Sequence, residues 1–269
     1  MTTLIAWVGV DSRGPSSAYL ASDSRISWGE PGWNTGKKVF SSSKYPEIFG
    51  YCGDVTFPSM CINQLAENID CGTIFNSLDD AVMKHEKVFK NLKEQFSNYP
   101  IMQQRPFHIL HFSRSGNGMK SVFSLHLFSW QIDKGWSDTA LEMPEHSDVI
   151  ASLGSGSTDF NNFKFKWDKS QIGGTSRSIF SAFCEAIITG EDPNTGGAPQ
   201  LVGVYRNTNG LKFGIVFRGE RFLNGVKIDT PEDGDCLEWR NETFERCDGI
   251  YLQRKIEAQP QPSPFDSSR

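Results

Sequence analysis

The sequence lacks several features that would settle its function at once. No run of about 18 apolar residues occurs, so no segment reads as a membrane-spanning helix. Basic character is scarce: 27 Lys and Arg stand against 32 Asp and Glu, a formal net charge of −5. A nucleic-acid surface would need a basic stripe, so neither nucleic acid nor membrane is an expected partner. The six cysteines are scattered, with no CxxC pair and no histidine at metal spacing, which argues against a disulfide framework or a zinc site. There is no HExxH, and Gly154-Ser155-Gly156 has neither the lysine of a phosphate-binding loop nor the third glycine of a dinucleotide fingerprint. No internal repeat is present. The run LIAWVGV follows no basic segment and is too short for a secretory core, so a cytoplasmic chain with reduced, mostly buried thiols is expected.

What is present is aromatic material for a core, 20 Phe and 7 Trp in 269 residues, enough for one large domain with an appendage or two small ones. Residues 3–10 and 18–25 read as strands joined by a turn at Asp11–Pro15, with Lys37–Phe40 and Glu47–Gly53 as two more. Two helical patterns follow. One covers 57–69. The second is capped by Ser77, has Asp79 and Asp80 in its first turn, and repeats apolar residues to Phe96. Strands are expected at 107–113, 119–130, 135–143 and 149–153, helices at 158–165 and 175–188, and strands at 201–207 and 212–217. From Gly219 the composition turns polar. Residues 219–256 read as a C-terminal extension with some structure, and 257–269 as a disordered tail.

Five stretches carry possible chemistry: Thr2-Thr3, Ser22-Asp23-Ser24, Gly36-Lys37-Lys38-Val39, Gly50-Tyr51-Cys52-Gly53, and the pair Gly154–Ser157 with Asp192-Pro193-Asn194-Thr195-Gly196-Gly197. In this order they resemble the proteasome β-subunit family, including its simpler bacterial relatives, which are N-terminal-nucleophile (Ntn) threonine hydrolases. The resemblance runs from Thr2 to about Phe217. It implies an α+β, four-layer αββα sandwich, two antiparallel sheets between helix layers, over residues 2–218. It also implies a homo-oligomeric ring, a peptide or unfolded-protein substrate, an unfoldase or regulatory partner, and no cofactor or metal.

The chemistry of these residue types agrees. A threonine hydroxyl is a weak nucleophile that needs a base, and an α-amine with a pKa near 7.7–8.0 can serve as one. Thr2 would hold both once Met1 is removed, and threonine is small enough to permit that removal. A cation at Lys38 would keep the amine unprotonated, and Asp23 would offset the burial of Lys38. By resemblance, Ser155, Asp192 and Thr195 hydrogen-bond around the amine, the backbone N–H of Gly53 faces the oxyanion, and Ile26, Gly36, Tyr51 and Val55 line a substrate pocket. Thr195 stands where the family commonly has serine, and Tyr51 would shrink the pocket toward small or medium apolar residues. His108 and His111, three apart in a strand, point to opposite faces and share no metal. The rival readings are an Ntn amidase acting on a small molecule and a catalytically silent, partner-binding scaffold.

Overall fold

The computed structural model describes residues 2–28, 32–76 and 79–259. The first half of the chain supplies β1 (Leu4–Asp11), β2 (Gly14–Ser22), β3 (Val39–Ser41), β4 (Glu47–Gly53), α1 (Thr56–Asp70), α2 (Ala81–Ser97), β5 (Phe107–Ser115), β6 (Val122–Gln131) and β7 (Gly135–Leu141). The second half adds β8 (Asp148–Leu153), α3 (Ser157–Trp167), α4 (Ser176–Thr189), β9 (Gln200–Tyr205) and β10 (Leu211–Phe217), then four short strands, β11 (Glu220–Leu223), β12 (Val226–Lys227), β13 (Glu238–Asn241) and β14 (Arg246–Cys247).

These strands make two sheets, as the α+β expectation required. One has the order β12-β11-β10-β9-β2-β1-β8, with β13 and β14 added beside β10; the other runs β3-β4-β5-β6-β7. Neighbours are antiparallel except for β10 and β13. The burial pattern explains why β1 is continuously apolar. Residues two apart share a face, and both faces of β1 are covered. Leu4 and Ala6 join Ala18, Leu20, Ile48, Cys52, Leu110 and Phe112 in a core between the sheets. Ile5 and Trp7 on the opposite face pack with Phe160, Phe180 and Phe183 of α3 and α4. On the second sheet, Phe49, Tyr51 and Ile109 pack instead against Ile62, Val88 and Leu92 of α1 and α2. Among the described residues no helix is long and apolar enough to cross a membrane.

Several boundaries differ from the sequence reading, and three of them bear on the site or on a helix cap. β2 stops at Ser22, so Asp23, Ser24 and Arg25 lie in irregular backbone beyond it. β3 begins at Val39, leaving Lys37 and Lys38 outside the strand. Ser77, the expected cap of α2, lies outside the described residues; the helix begins at Ala81, and the extended Asp80 caps it by accepting a hydrogen bond from Met83 N–H at 2.9 Å. That bond satisfies one of the helix's orphan donors.

No linker separates the extension from the rest. The boundary at 218/219 falls within a tight hairpin, where Arg218 (φ 51°) and Gly219 (φ 74°) join β10 to β11. Asn224 (φ 51°) and Gly225 (φ 81°) make a second such turn between β11 and β12, the pairing that a two-residue hairpin favours. β13 then runs parallel to β10 and buries Trp239 against Val216 and Cys247. Of the expected tail, residues 260–269 lie outside the described residues.

A buried polar chain links α2 to the second sheet. Lys84 Nζ donates to Glu47 Oε1 at 2.7 Å; His111 Nε2 meets Glu47 Oε2 at 2.9 Å; His85 Nδ1 meets His111 Nδ1 at 2.9 Å. The His85 ring also stacks on His126. His108, on the other face of β5, bonds Ser129 instead. Burial pushes the Glu47 carboxyl up to about 7, against the pull of Lys84. Burial, with neighbouring cations and rings, drives His85 and His111 below their ordinary value of 6.5.

The signs oppose one another. As the pH falls through 6.5 the unfolded chain takes up a proton on each histidine and the folded chain does not, which lowers stability. Between about 7 and the ordinary carboxyl value of 4.5, folded Glu47 holds a proton that the unfolded chain releases, which raises it. Burial also holds the His108 imidazole below its ordinary value, so the histidines outnumber the carboxyl and stability falls as the pH drops below 6.5. Denaturant unfolding should show lower stability at pH 5.5 than at pH 6.5, and Glu47→Gln should enlarge that loss; an equal loss in the two proteins would contradict the assignment.

Candidate active site

Three chain segments converge where the first two strands and the start of β3 meet. Thr2 precedes β1, Asp23 follows β2, and Lys38 precedes β3; all three are buried. The Lys38 ammonium donates to Asp23 Oδ1 at 2.8 Å and to Thr2 Oγ1 at 2.7 Å. Asp23 is saturated. Its Oδ1 also accepts from Thr3 N–H at 3.0 Å, and its Oδ2 accepts from Arg25 N–H at 3.0 Å and Gly196 N–H at 3.1 Å. Four donors occupy the lone-pair sites of one carboxylate, so Asp23 is fixed in orientation and holds Lys38 on Thr2.

Burial lowers the pKa of Lys38 from its ordinary value, while the Asp23 carboxylate works to raise it. Cys52 lies close enough to feel Lys38, yet burial pushes its thiol up to about 12. It stays protonated and does not compete as a nucleophile.

A second group of hydroxyls and a carboxylate surrounds the first. Ser155 Oγ and Thr195 Oγ1 both donate to Asp192 Oδ2, at 2.6 and 2.8 Å. Because the Thr195 proton is committed there, the 2.8 Å contact between Thr3 Oγ1 and Thr195 Oγ1 is a bond donated by Thr3. Burial pushes the Asp192 carboxyl up, but the bonds from Ser155, Asn194 and Thr195 outweigh it and hold it below its ordinary value. Among the described residues, Ser155 and Asp192 make no hydrogen bond to Thr2; they reach it through Thr195 and Thr3.

The six residues singled out as catalytic therefore belong to one connected network. The network contains two further members that the sequence reading passed over. Thr3 bridges the inner and outer groups. Gln200, 1% exposed, accepts from Lys38 N–H at 3.0 Å and donates to Gly36 O at 2.7 Å and Ser24 Oγ at 3.0 Å, locking the segment that carries Lys38.

The GSG turn is needed for contact rather than for a phosphate. Gly154 has φ +93°, and a Cβ there would lie 1.8 Å from Thr2 O; one at Gly156 would lie 2.0 Å from Thr3 Oγ1. Only glycine lets this turn press on the first residues of the chain.

All four residues assigned to the substrate pocket line one cavity of about 490 Å³, Ile26, Gly36, Tyr51 and Val55, together with Trp33 and Met60. Tyr51 is a wall rather than a plug: its ring joins the core beside α1 and its hydroxyl donates to Lys37 O at 3.1 Å. Tyr51 N–H bonds Lys38 O at 3.1 Å, which sets the cavity directly beside the lysine. Gly53 ends β4 with an exposed backbone at φ +95°.

Compared with protein-family models the chain matches none, and a search of curated proteins finds no match.

Removing one member of a buried ion pair strands the other charge, at a cost of about 3–5 kcal/mol. Lys38→Met should show that loss in denaturant unfolding. Combining it with Asp23→Asn should cost less than the sum of the two single changes, by at least about 1 kcal/mol. Strict additivity would mean that the two charges do not meet in solution.

Proposed function

We propose that the chain is an N-terminal threonine peptidase of the proteasome-like kind, with Thr2 as nucleophile after cleavage of the Met1–Thr2 bond. The observation that carries this reading is the buried Lys38 ammonium, bonded at once to Asp23 and to Thr2 Oγ1. A lysine fully removed from water and aimed at a threonine hydroxyl has no packing rationale, since a well-packed apolar side chain would serve a core at least as well.

The steps follow from the groups in hand. The neutral α-amine of Thr2 takes the Oγ proton as Oγ attacks the substrate carbonyl. Lys38 stabilises the developing negative charge on Oγ and disfavours a proton on the amine beside it. The backbone N–H of Gly53 is assigned to the oxyanion. The ammonium of Thr2 returns its proton to the leaving nitrogen, the C–N bond breaks, and an ester remains on Oγ. Water, deprotonated by the same amine, attacks the ester and frees Thr2. Thr3, Ser155, Asp192 and Thr195 hold the first residue in place.

The cavity walled by Ile26, Tyr51 and Val55 supports an apolar side chain next to the scissile bond, and its 490 Å³ lies within the range of real ligand sites. Homo-oligomeric ring assembly, a cytoplasmic location and supply of unfolded chains by an unfoldase belong to the same reading.

A peptide-reporter assay tests it, paired with intact-mass measurement of the N-terminus. Material lacking Met1 should hydrolyse an apolar reporter, Thr2→Ala should lower the rate by at least about 10³-fold, and Thr2→Ser should retain a measurable part. Turnover that persists in Thr2→Ala would remove the mechanism. The profile should also fall on its alkaline side at a pH below the ordinary lysine value of about 10.4, because burial lowers the pKa of Lys38. Activity unchanged up to that pH would show that a charged Lys38 is not required.

A further inference from the structure

A second cavity, of about 560 Å³, lies beside the network but on the other side of the Ile26–Trp33 bridge from the apolar pocket. The bridge between Ile26 and Trp33 divides them: Ile26, Trp33 and Gly36 face the first cavity, whereas Arg25, Asn34 and Thr35 face the second. The second cavity also shares Thr195 and Gly196 with the network, the residues that bond Thr3 and Asp23.

One wall comes from residues 217–227, at and beyond the end of the family resemblance. That wall is tied to the catalytic segment. At Gly225, whose φ is +81°, a Cβ would lie 2.1 Å from Ser24 Oγ, so the β11–β12 turn packs directly on the residue after Asp23. Its lining combines the buried or half-buried rings of Phe217 and Phe222 with a cationic rim of half-buried Arg25 and exposed Arg218 and Lys227. Among the described residues that line it the one carboxylate is Glu220, already matched by Lys227 at 2.5 Å, and Glu242 Oε1 accepts from Arg218 N–H at 2.7 Å. Among the described residues neither guanidinium has a carboxylate partner, and Arg25 is instead held in place by Asn34 Oδ1 at 2.8 Å and Pro193 O at 2.9 Å.

We infer that this cavity is a second substrate subsite, in which the cationic rim receives a carboxylate of the peptide while Phe217 and Phe222 contact an apolar neighbour. This rests on the threonine-peptidase reading. It makes the C-terminal strands part of substrate selection, and the enzyme one that favours peptides with an apolar residue in one cavity and an acidic group across the Ile26–Trp33 bridge. The acidic group is either an Asp or Glu side chain or the peptide's own C-terminus.

Fluorescein-labelled decapeptides binding to the full-length Thr2→Ala chain, followed by anisotropy, provide the test. Three probes share one apolar residue: an acidic peptide with an amidated end, its Asn/Gln counterpart with an amidated end, and that neutral peptide with a free carboxylate. The acidic probe should bind at least about fivefold tighter than its neutral counterpart, a preference that falls with added salt as expected for exposed charges. A gain confined to the free-carboxylate probe assigns the subsite to the chain end instead. Arg218→Asn, a residue that accepts a positive φ, should abolish the preference, and Glu220→Gln should enlarge it, with unchanged circular dichroism. Equal binding of all three probes, no binding, or a preference that survives Arg218→Asn would overturn the subsite. Hydrolysis by the threonine-bearing protein is scored separately: charge-selective binding without Thr2-dependent turnover sinks the peptidase reading alone, and turnover without charge selection sinks the subsite alone.

Discussion

A single ammonium group organises this molecule. Lys38 sits where water cannot solvate it, and such a charge is tolerated only if its partners are good. Asp23 meets that demand, and the four donors on Asp23 come from residues 3, 25, 38 and 196. The requirement to neutralise one cation therefore pins the first residues, the end of β2, the approach to β3 and the loop after α4 to the same point. The sheets supply the frame: β1 and β2 pair along their length, and Gln200 at the start of β9 reaches across to hold the backbone of Lys38.

The frame was largely legible in the residues. The continuous apolar run of β1, the alternating strands and the two amphipathic helices each require burial of a particular face, and the two sheets with their helices answer those requirements. The misplaced ends have local causes. Apolar patterning cannot say where a ladder stops, so the ends of β2 and β3 shifted. The two acidic residues expected in the first turn of α2 lie before it instead, and Asp80 caps the helix through Met83 N–H.

The site was legible to a different degree. Thr2, Asp23 and Lys38 announce themselves through residue type, because each has an evident part in activating a hydroxyl. Gln200 carries no such mark. Its partner Lys38 is 162 positions away, and only the pairing of β2 with β9 brings them together. Thr3 was visible but looked like a neighbour of the nucleophile, since its bridging hydroxyl depends on where Thr195 sends its proton. The buried histidines were also missed as a group, because nothing in their spacing shows that β5, β6 and α2 meet. The extension did carry a readable signal: Asn224-Gly225 between short apolar stretches is a strong hairpin pattern, and polar composition alone concealed it.

The account stands or falls on whether the lysine activates the threonine. Covalent trapping with a threonine-directed peptide electrophile, followed by mass mapping of the modified residue, addresses this most directly. The predicted result is a single adduct on Thr2 that disappears when Lys38 is replaced by methionine in protein that remains folded. An adduct on another residue, or one that forms on Thr2 at the same rate without the lysine, would contradict it.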